Sequence, residues 1–163
     1  MNIINSLTGM IDWSDNSSNK EESANKIFFT EKILKKTFEN FHFYEIRTPA
    51  LEDTDLFKRS VGDTSDIVNK ELYSFQDKNE KSITLRPEGT ASVIRSIIEK
   101  KLDGDPQKLW YLGPMWRYER PQKGRYRQFN QAGVEILGYE EGMSELELIL
   151  SLIHISEPTR HTD

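Results

Sequence analysis

The chain has 163 residues, 36% hydrophobic and 30% charged, with a net charge of −5 and no cysteine. That length suits one domain with a real core, and the missing cysteines exclude disulfides and thiolate zinc sites. No apolar run approaches the ~20 residues of a membrane-crossing helix, the N-terminus lacks the basic-then-apolar layout of a signal peptide, and the acidic total argues against a generally basic nucleic-acid coat.

Residues 14 to 25 are polar and begin as a loop. A helix is predicted from there to about Asn40, because Ile27, Leu34, Phe38 and Phe41 recur near multiples of 3.6. Phe43 to Thr48 reads as a strand stopped by Pro49, and Leu56 to Val61 as a short helix ending near Gly62. Leu72 to Phe75 and Ser82 to Leu85 form two strands around a turn at Asp77 to Glu80. Pro87 is placed as the first residue of a helix whose buried stripe is Val93, Ile94, Ile97 and Ile98. Leu109 to Arg117 and Tyr126 to Leu137 are the longest strand candidates, joined by a charged connection with Pro121 and Gly124. Ser144 and Glu147 read as the capping box of a last helix. Hairpins mixed with helices predict an α+β fold with a largely antiparallel sheet.

Charge is unevenly spread. Residues 117 to 127 hold Arg117, Arg120, Lys123, Arg125 and Arg127 against Glu119, a net +4 that leaves −9 for the remainder. A cationic segment in an acidic body points to a specific anion site. Strand alternation sets Arg117 and Glu119 on one face, and Arg127, Phe129, Gln131, Gly133 and Glu135 on one face of the next strand. Ala132, Val134 and Ile136 then face a core. Arginine binds phosphate bidentately, a phenyl ring stacks on a base, and Gln131 and Glu135 accept hydrogen bonds from an ammonium or imidazole. Gly133 leaves room near the backbone for a ligand. A surface hairpin laced with salt bridges is the plainer alternative. A second cluster, Thr84-Leu85-Arg86-Pro87-Glu88-Gly89-Thr90-Ala91, places Glu88 and Thr90 in the first turn of the predicted helix. There an acid also serves simply to complement the helix dipole.

The string Arg117 to Glu135 resembles motif 2 of class II aminoacyl-tRNA synthetases, in its histidyl form. Thr84 to Ala91 resembles the same family's histidine-binding segment, Glu45-Ile46-Arg47-Thr48-Pro49 its motif 1, and Thr8-Gly9-Met10-Ile11-Asp12 its opening segment. Thr8 stands where the family usually has arginine, and Asn130 where histidine is common. The resemblance implies a six-stranded antiparallel sheet flanked by helices, a homodimer, and a cytoplasmic enzyme acting on histidine, ATP and tRNA(His). It implies that Arg117 holds the α-phosphate and the attacking carboxylate. Glu119 would contact the adenine amine, Phe129 stack on adenine and Arg125 reach the outer phosphates. Glu88, Gly89, Thr90, Gln131 and Glu135, with Arg117, would surround histidine. Mg2+ is implied, with no ligands assignable. His42, His154 and His161 have no part in this, and His42 is read as structural.

The family's histidine-specific arginine segment, motif 3 and anticodon-binding domain are not found in these residues. Residues 1–149 are therefore expected to be a partial catalytic domain, truncated within its sheet. Residues 150–163 are expected to be non-native, because Leu150 to Arg160 resembles the translation of a transposase-type sequencing-library adapter; the plainer alternative is that the last helix simply continues and ends at Pro158. The competing function is the regulatory paralogue of ATP phosphoribosyltransferase, a histidine sensor that charges no tRNA. The ATP-facing set Arg117, Glu119, Arg125 and Phe129 favours the enzyme.

Overall fold

The computed structural model describes residues 3–16, 23–61, 71–120, 122–140 and 142–156. Helix α1 (Ala24–Asn40) buries Leu34, Thr37 and Phe38, the i, i+3, i+4 stripe of an amphipathic helix. It ends in a turn at Phe41 and His42, where His42 adopts φ 60 and donates its N–H to Glu39 O (3.0 Å). His42 is thus a turn residue, exposed and away from the cleft described below.

Strand β1 is only Tyr44–Glu45, shorter than the predicted strand. It runs parallel to β5 (Gln107–Trp116), with Glu45 opposite Trp110. Beyond Ile46 the chain leaves the ladder because the Thr48 and Pro49 carbonyls turn to the buried Arg86 guanidinium (2.7 and 3.5 Å). Strand β2 (Leu51–Asp53), which sequence reading did not anticipate, follows directly and leads into α2 (Thr54–Val61). The expected end near Gly62 lies outside the described residues.

Strands β3 (Tyr73–Gln76) and β4 (Ser82–Leu85) form the predicted hairpin, and β2 pairs antiparallel on the other side of β4. Asp77 shapes the turn by accepting the N–H groups of Asn79 (2.8 Å) and Lys81 (2.9 Å) on Oδ1. Hydroxyls converge on the buried Thr84: Thr54 and Ser74 both bond it (2.8 and 2.7 Å). From β2, the buried Glu52 accepts from Arg95 Nη2 (2.9 Å) and so fastens this sheet to α3.

Helix α3 is Thr90–Glu99, and begins three residues later than predicted. Pro87 and Glu88 stay outside it because the Glu88 carboxylate folds over the helix end, accepting from the N–H of Thr90 (2.5 Å) and Ala91 (3.0 Å). Ala91, Ser92, Val93, Ser96 and Ile97 are buried. Ile98 is not: it is 61% exposed and lines a groove with Ile94 and Leu56 between α2 and α3.

Strands β5 and β6 (Gln128–Leu137) pair antiparallel over ten residues each, the longest hairpin in the described chain. Their alternation divides two cores. One face carries Leu109, Tyr111 and Met115 against Val93 and Ile97 of α3, and the other carries Trp110 against Leu34 and Phe38 of α1. Val134 and Ile136 join the second core as predicted, whereas Ala132 is exposed beside a groove bordered by Trp13 and Leu34. The architecture is α+β and mainly antiparallel, as expected. Instead of one six-stranded sheet, the described residues form two of three strands, ordered β1-β5-β6 and β2-β4-β3.

Helix α4 (Met143–Ser156) crosses position 150 without a break and packs on α1, with Ser151 buried and His154 edge-on to Phe41. The predicted Ser144–Glu147 box does not form. Glu145 accepts the Gly142 N–H, Ser144 donates to Glu140 O (3.1 Å), and Glu147 instead pairs with Lys108 of β5. An ion partner on the neighbouring strand outcompetes the local cap.

Candidate active site

The cleft lies over the α3-facing side of the β5–β6 hairpin. Register sets Met115, Gly113, Tyr111 and Leu109 of β5 opposite Phe129, Gln131, Gly133 and Glu135 of β6. These four β6 residues share one face, as alternation requires. Arg127 precedes the strand and is used differently: its Nε donates to Glu119 O (3.1 Å), and its guanidinium lies 3.9 Å from the centre of the Tyr118 ring. Its N–H donates to Gly9 O (2.7 Å). Gly9 sits at φ +80, where a Cβ would meet Arg127 Cγ at 2.9 Å, so the opening segment is keyed to the base of this hairpin.

Arg117 follows β5 directly, and its N–H extends the ladder to Arg127 O (2.9 Å). Three contacts aim its side chain. Nε donates to Pro87 O (2.8 Å), Nη1 is 3.8 Å from Glu119 Oε1, and the guanidinium stands 5.2 Å from the Phe129 ring centre. Glu119 also receives Arg125 Nη1 at 3.8 Å, while Arg125 itself is 65% exposed. One end of the cleft is therefore a pair of guanidiniums bridged by one carboxylate, with an aromatic plane beside them.

The other end is acidic. Burial pushes the Glu135 carboxyl above the usual carboxylate range; a hydrogen bond with Thr90 opposes that shift, and the neighbouring charge of Glu88 adds to it. Glu88 itself is engaged by the α3 N–H groups, so the dipole-complementing role open at the sequence level is realised. Gln131 Oε1 is buried without any hydrogen-bond partner, an acceptor in want of a donor.

Sequence reasoning missed Tyr111. Its ring lies between two glycines: a Cβ on Gly89 would come within 2.2 Å of it, and one on Gly133 within 2.4 Å. The room assigned to a ligand at Gly133 is therefore filled by the protein's own tyrosine, and Gly89 serves the same packing. Burial raises the Tyr111 phenol, with Thr90 opposing and Glu135 and Glu88 adding, which places its hydroxyl among the acids. The signal was available, since Tyr111 faces Gly133 across the hairpin. Arg86 was missed too, because nothing in the pattern marks it as buried.

Chemically, a cationic end beside an acidic, under-bonded end suits a ligand that carries an anion at one side and a hydrogen-bond-donating cation at the other. Among the described residues no group of three or more acidic or histidine side chains gathers to hold a metal ion.

Comparison with known proteins decides the family. The sequence pattern of the histidyl-tRNA synthetase family matches residues 19–160. The chain belongs to the histidyl-tRNA synthetase family. It is 53% identical over 137 residues to the histidine–tRNA ligase of Staphylococcus carnosus, covering 82% of this chain and 32% of that protein. With the ligase of Staphylococcus haemolyticus the identity is 52% over 139 residues, 83% of this chain and 33% of that one. The chain thus spans about a third of these relatives' length. In three dimensions it resembles apo Staphylococcus aureus histidyl-tRNA synthetase, with a TM-score of 0.78, 38% identity, and coverage of 97% of this chain and 35% of that one. A Bacillus halodurans protein described as an ATP phosphoribosyltransferase regulatory subunit/histidyl-tRNA synthetase shares the fold, with a TM-score of 0.76 at 23% identity over 95% of this chain and 38% of that one.

Proposed function

We propose that this chain is the front part of the catalytic domain of a histidine–tRNA ligase. A histidine carboxylate oxygen attacks the α-phosphorus of ATP, the bond to the β-phosphate oxygen breaks, and pyrophosphate leaves. A hydroxyl of the tRNA(His) terminal ribose then attacks the histidyl carbonyl and displaces AMP. Arg117 holds the α-phosphate and the attacking carboxylate, where negative charge concentrates in the transition state. Glu119 takes the adenine amine, Phe129 stacks on the base and Arg125 reaches the outer phosphates. Glu88, Thr90, Gln131 and Glu135 receive histidine, with Gly89 shaping that end through Tyr111. Mg2+ travels with ATP, and no step is assigned to it. Positioning and electrostatics carry the reaction, with no side-chain nucleophile.

The observation that carries this reading is the orientation of Arg117 between Pro87 O and Phe129, at the head of a face that continues into Gln131 and Glu135. Family membership supports it. The histidine-sensing regulatory reading is the weaker one, since a sensor has no use for Arg117, Glu119, Arg125 and Phe129 set together. We further propose a cytoplasmic homodimer meeting through the motif 1 side, where Phe28 (65% exposed) lines a groove of about 670 Å³ together with Glu45, Ile46, Arg47 and Thr48. No described helix is long and apolar enough to cross a membrane. We retain the proposal that residues 1–149 are native catalytic domain and that 150–163 are adapter-derived.

In the full-length enzyme, Arg117→Ala should lower histidine-dependent ATP–pyrophosphate exchange by at least about a hundredfold, the scale of losing one transition-state donor. Undiminished exchange in a folded variant would remove Arg117 from this role.

A further inference from the structure

Arg86 is 8% exposed, and none of the substrate-binding roles assigned above falls to it. Burial of a guanidinium is costly unless its donors are satisfied, and here neutral acceptors take Nε and Nη1. Nη1 donates to Thr48 O (2.7 Å) and to Thr48 Oγ1 (2.9 Å), and Nε donates to Pro114 O (3.1 Å). Space for the fork is made by Gly113, where a Cβ would meet Nη2 at 2.7 Å. The backbone of the same residue is equally engaged: its N–H donates to Ala50 O (3.0 Å), and its carbonyl accepts from Trp116 N–H (3.1 Å). One residue therefore binds the segment after β1, the start of β2 and the end of β5. The next carbonyl along the chain, Pro87 O, is the acceptor that holds Arg117 Nε at 2.8 Å. Pro87 is fully buried and follows Arg86 directly, so the packing and bonding of that pair set where its carbonyl lies.

We infer that Arg86 is a positioning residue, a buried strut that fixes the Pro87 carbonyl and through it the aim of Arg117, tying the Thr48–Pro49 segment to the reacting phosphate. This rests on the proposed ligase function. A lysine keeps the charge but presents a point donor on a flexible stem, and cannot hold Thr48 and Pro114 in the same fixed fork. Displacement of a catalytic group by about 1 Å from a distant change costs on the order of a hundredfold in rate.

The test is histidine-dependent ATP–pyrophosphate exchange in the full-length enzyme carrying Arg86→Lys, Arg117→Lys, or both. Arg86→Lys should lower kcat by about tenfold to a hundredfold with little change in KM for ATP or histidine, since the ground-state contacts remain. In the Arg117→Lys background the same change should add little further loss, because it acts through Arg117. Thr48→Val, which removes one acceptor and leaves the rest, should shift kcat in the same direction by a smaller factor and covers the case in which Arg86→Lys does not fold. Folded variants with unchanged kcat, or losses that multiply fully with that of Arg117→Lys, would overturn the inference. Absence of exchange in the unsubstituted enzyme, despite intact folding, would overturn the functional reading first and this inference with it.

Discussion

Glu135 and Tyr111 show how a side chain's surroundings decide its work. Burial raises the Glu135 carboxyl, so the folded chain holds that proton more tightly than the unfolded chain does. Stability from this group is therefore fully present at low pH and is lost as pH rises from the ordinary glutamate pKa through the raised one. Glu135→Gln, neutral at every pH, escapes that loss. We expect its urea midpoint at pH 7 to equal or exceed that of the parent, with the difference vanishing below about pH 4. Its KM for histidine should nevertheless rise by roughly tenfold or more, because a charged acceptor is gone. A variant less stable than the parent at pH 7 would contradict the burial account. At Gly133 the space belongs to Tyr111, and Gly133→Ala should cost about 1–3 kcal/mol by overpacking. Equilibrium unfolding would measure this, and an unchanged midpoint would mean that the tyrosine moves aside freely. That glycine looked like room for a ligand because spacing reveals a missing side chain without revealing what fills the gap.

Among the elements, the β5–β6 hairpin was legible because long alternation and dense arginines survive any tertiary context. Helix α1 was legible from Leu34 and Phe38. Phe38→Ala, at 3% exposure against Phe43 and Trp110, should cost about 3–5 kcal/mol, read from the unfolding midpoint. What sequence missed lies where long-range bonds override local pattern. Strand β1 is cut short because Arg86 draws away the Thr48 and Pro49 carbonyls, and the unanticipated β2 follows at once. Helix α3 starts at Thr90 because Glu88 closes its end. Glu88→Gln, which keeps the shape and removes the charge, should lower stability by roughly 0.3–1 kcal/mol through lost helix-end electrostatics. Its larger effect should be on histidine KM in the exchange assay, and a stability loss with unchanged KM would leave Glu88 a helix cap alone.

For the molecule as a whole, two small sheets meet at Arg86 and α3 and leave a cationic cleft end beside an acidic one. Much of that site was readable in sequence, since Arg117, Glu119, Arg125 and Phe129 are close in the chain and Gln131 and Glu135 follow by strand period. Glu88 and Thr90 come from a distant segment, and only the resemblance linked them to the hairpin; their meeting with Glu135 depends on α3 packing over β5 and β6. In the proposed function this cleft activates histidine with ATP. The most direct measurement is ATP–pyrophosphate exchange by the full-length protein, run with each of the twenty amino acids in turn. Exchange with histidine alone is the expected result. Histidine binding without exchange, or exchange driven by a different amino acid, would contradict it.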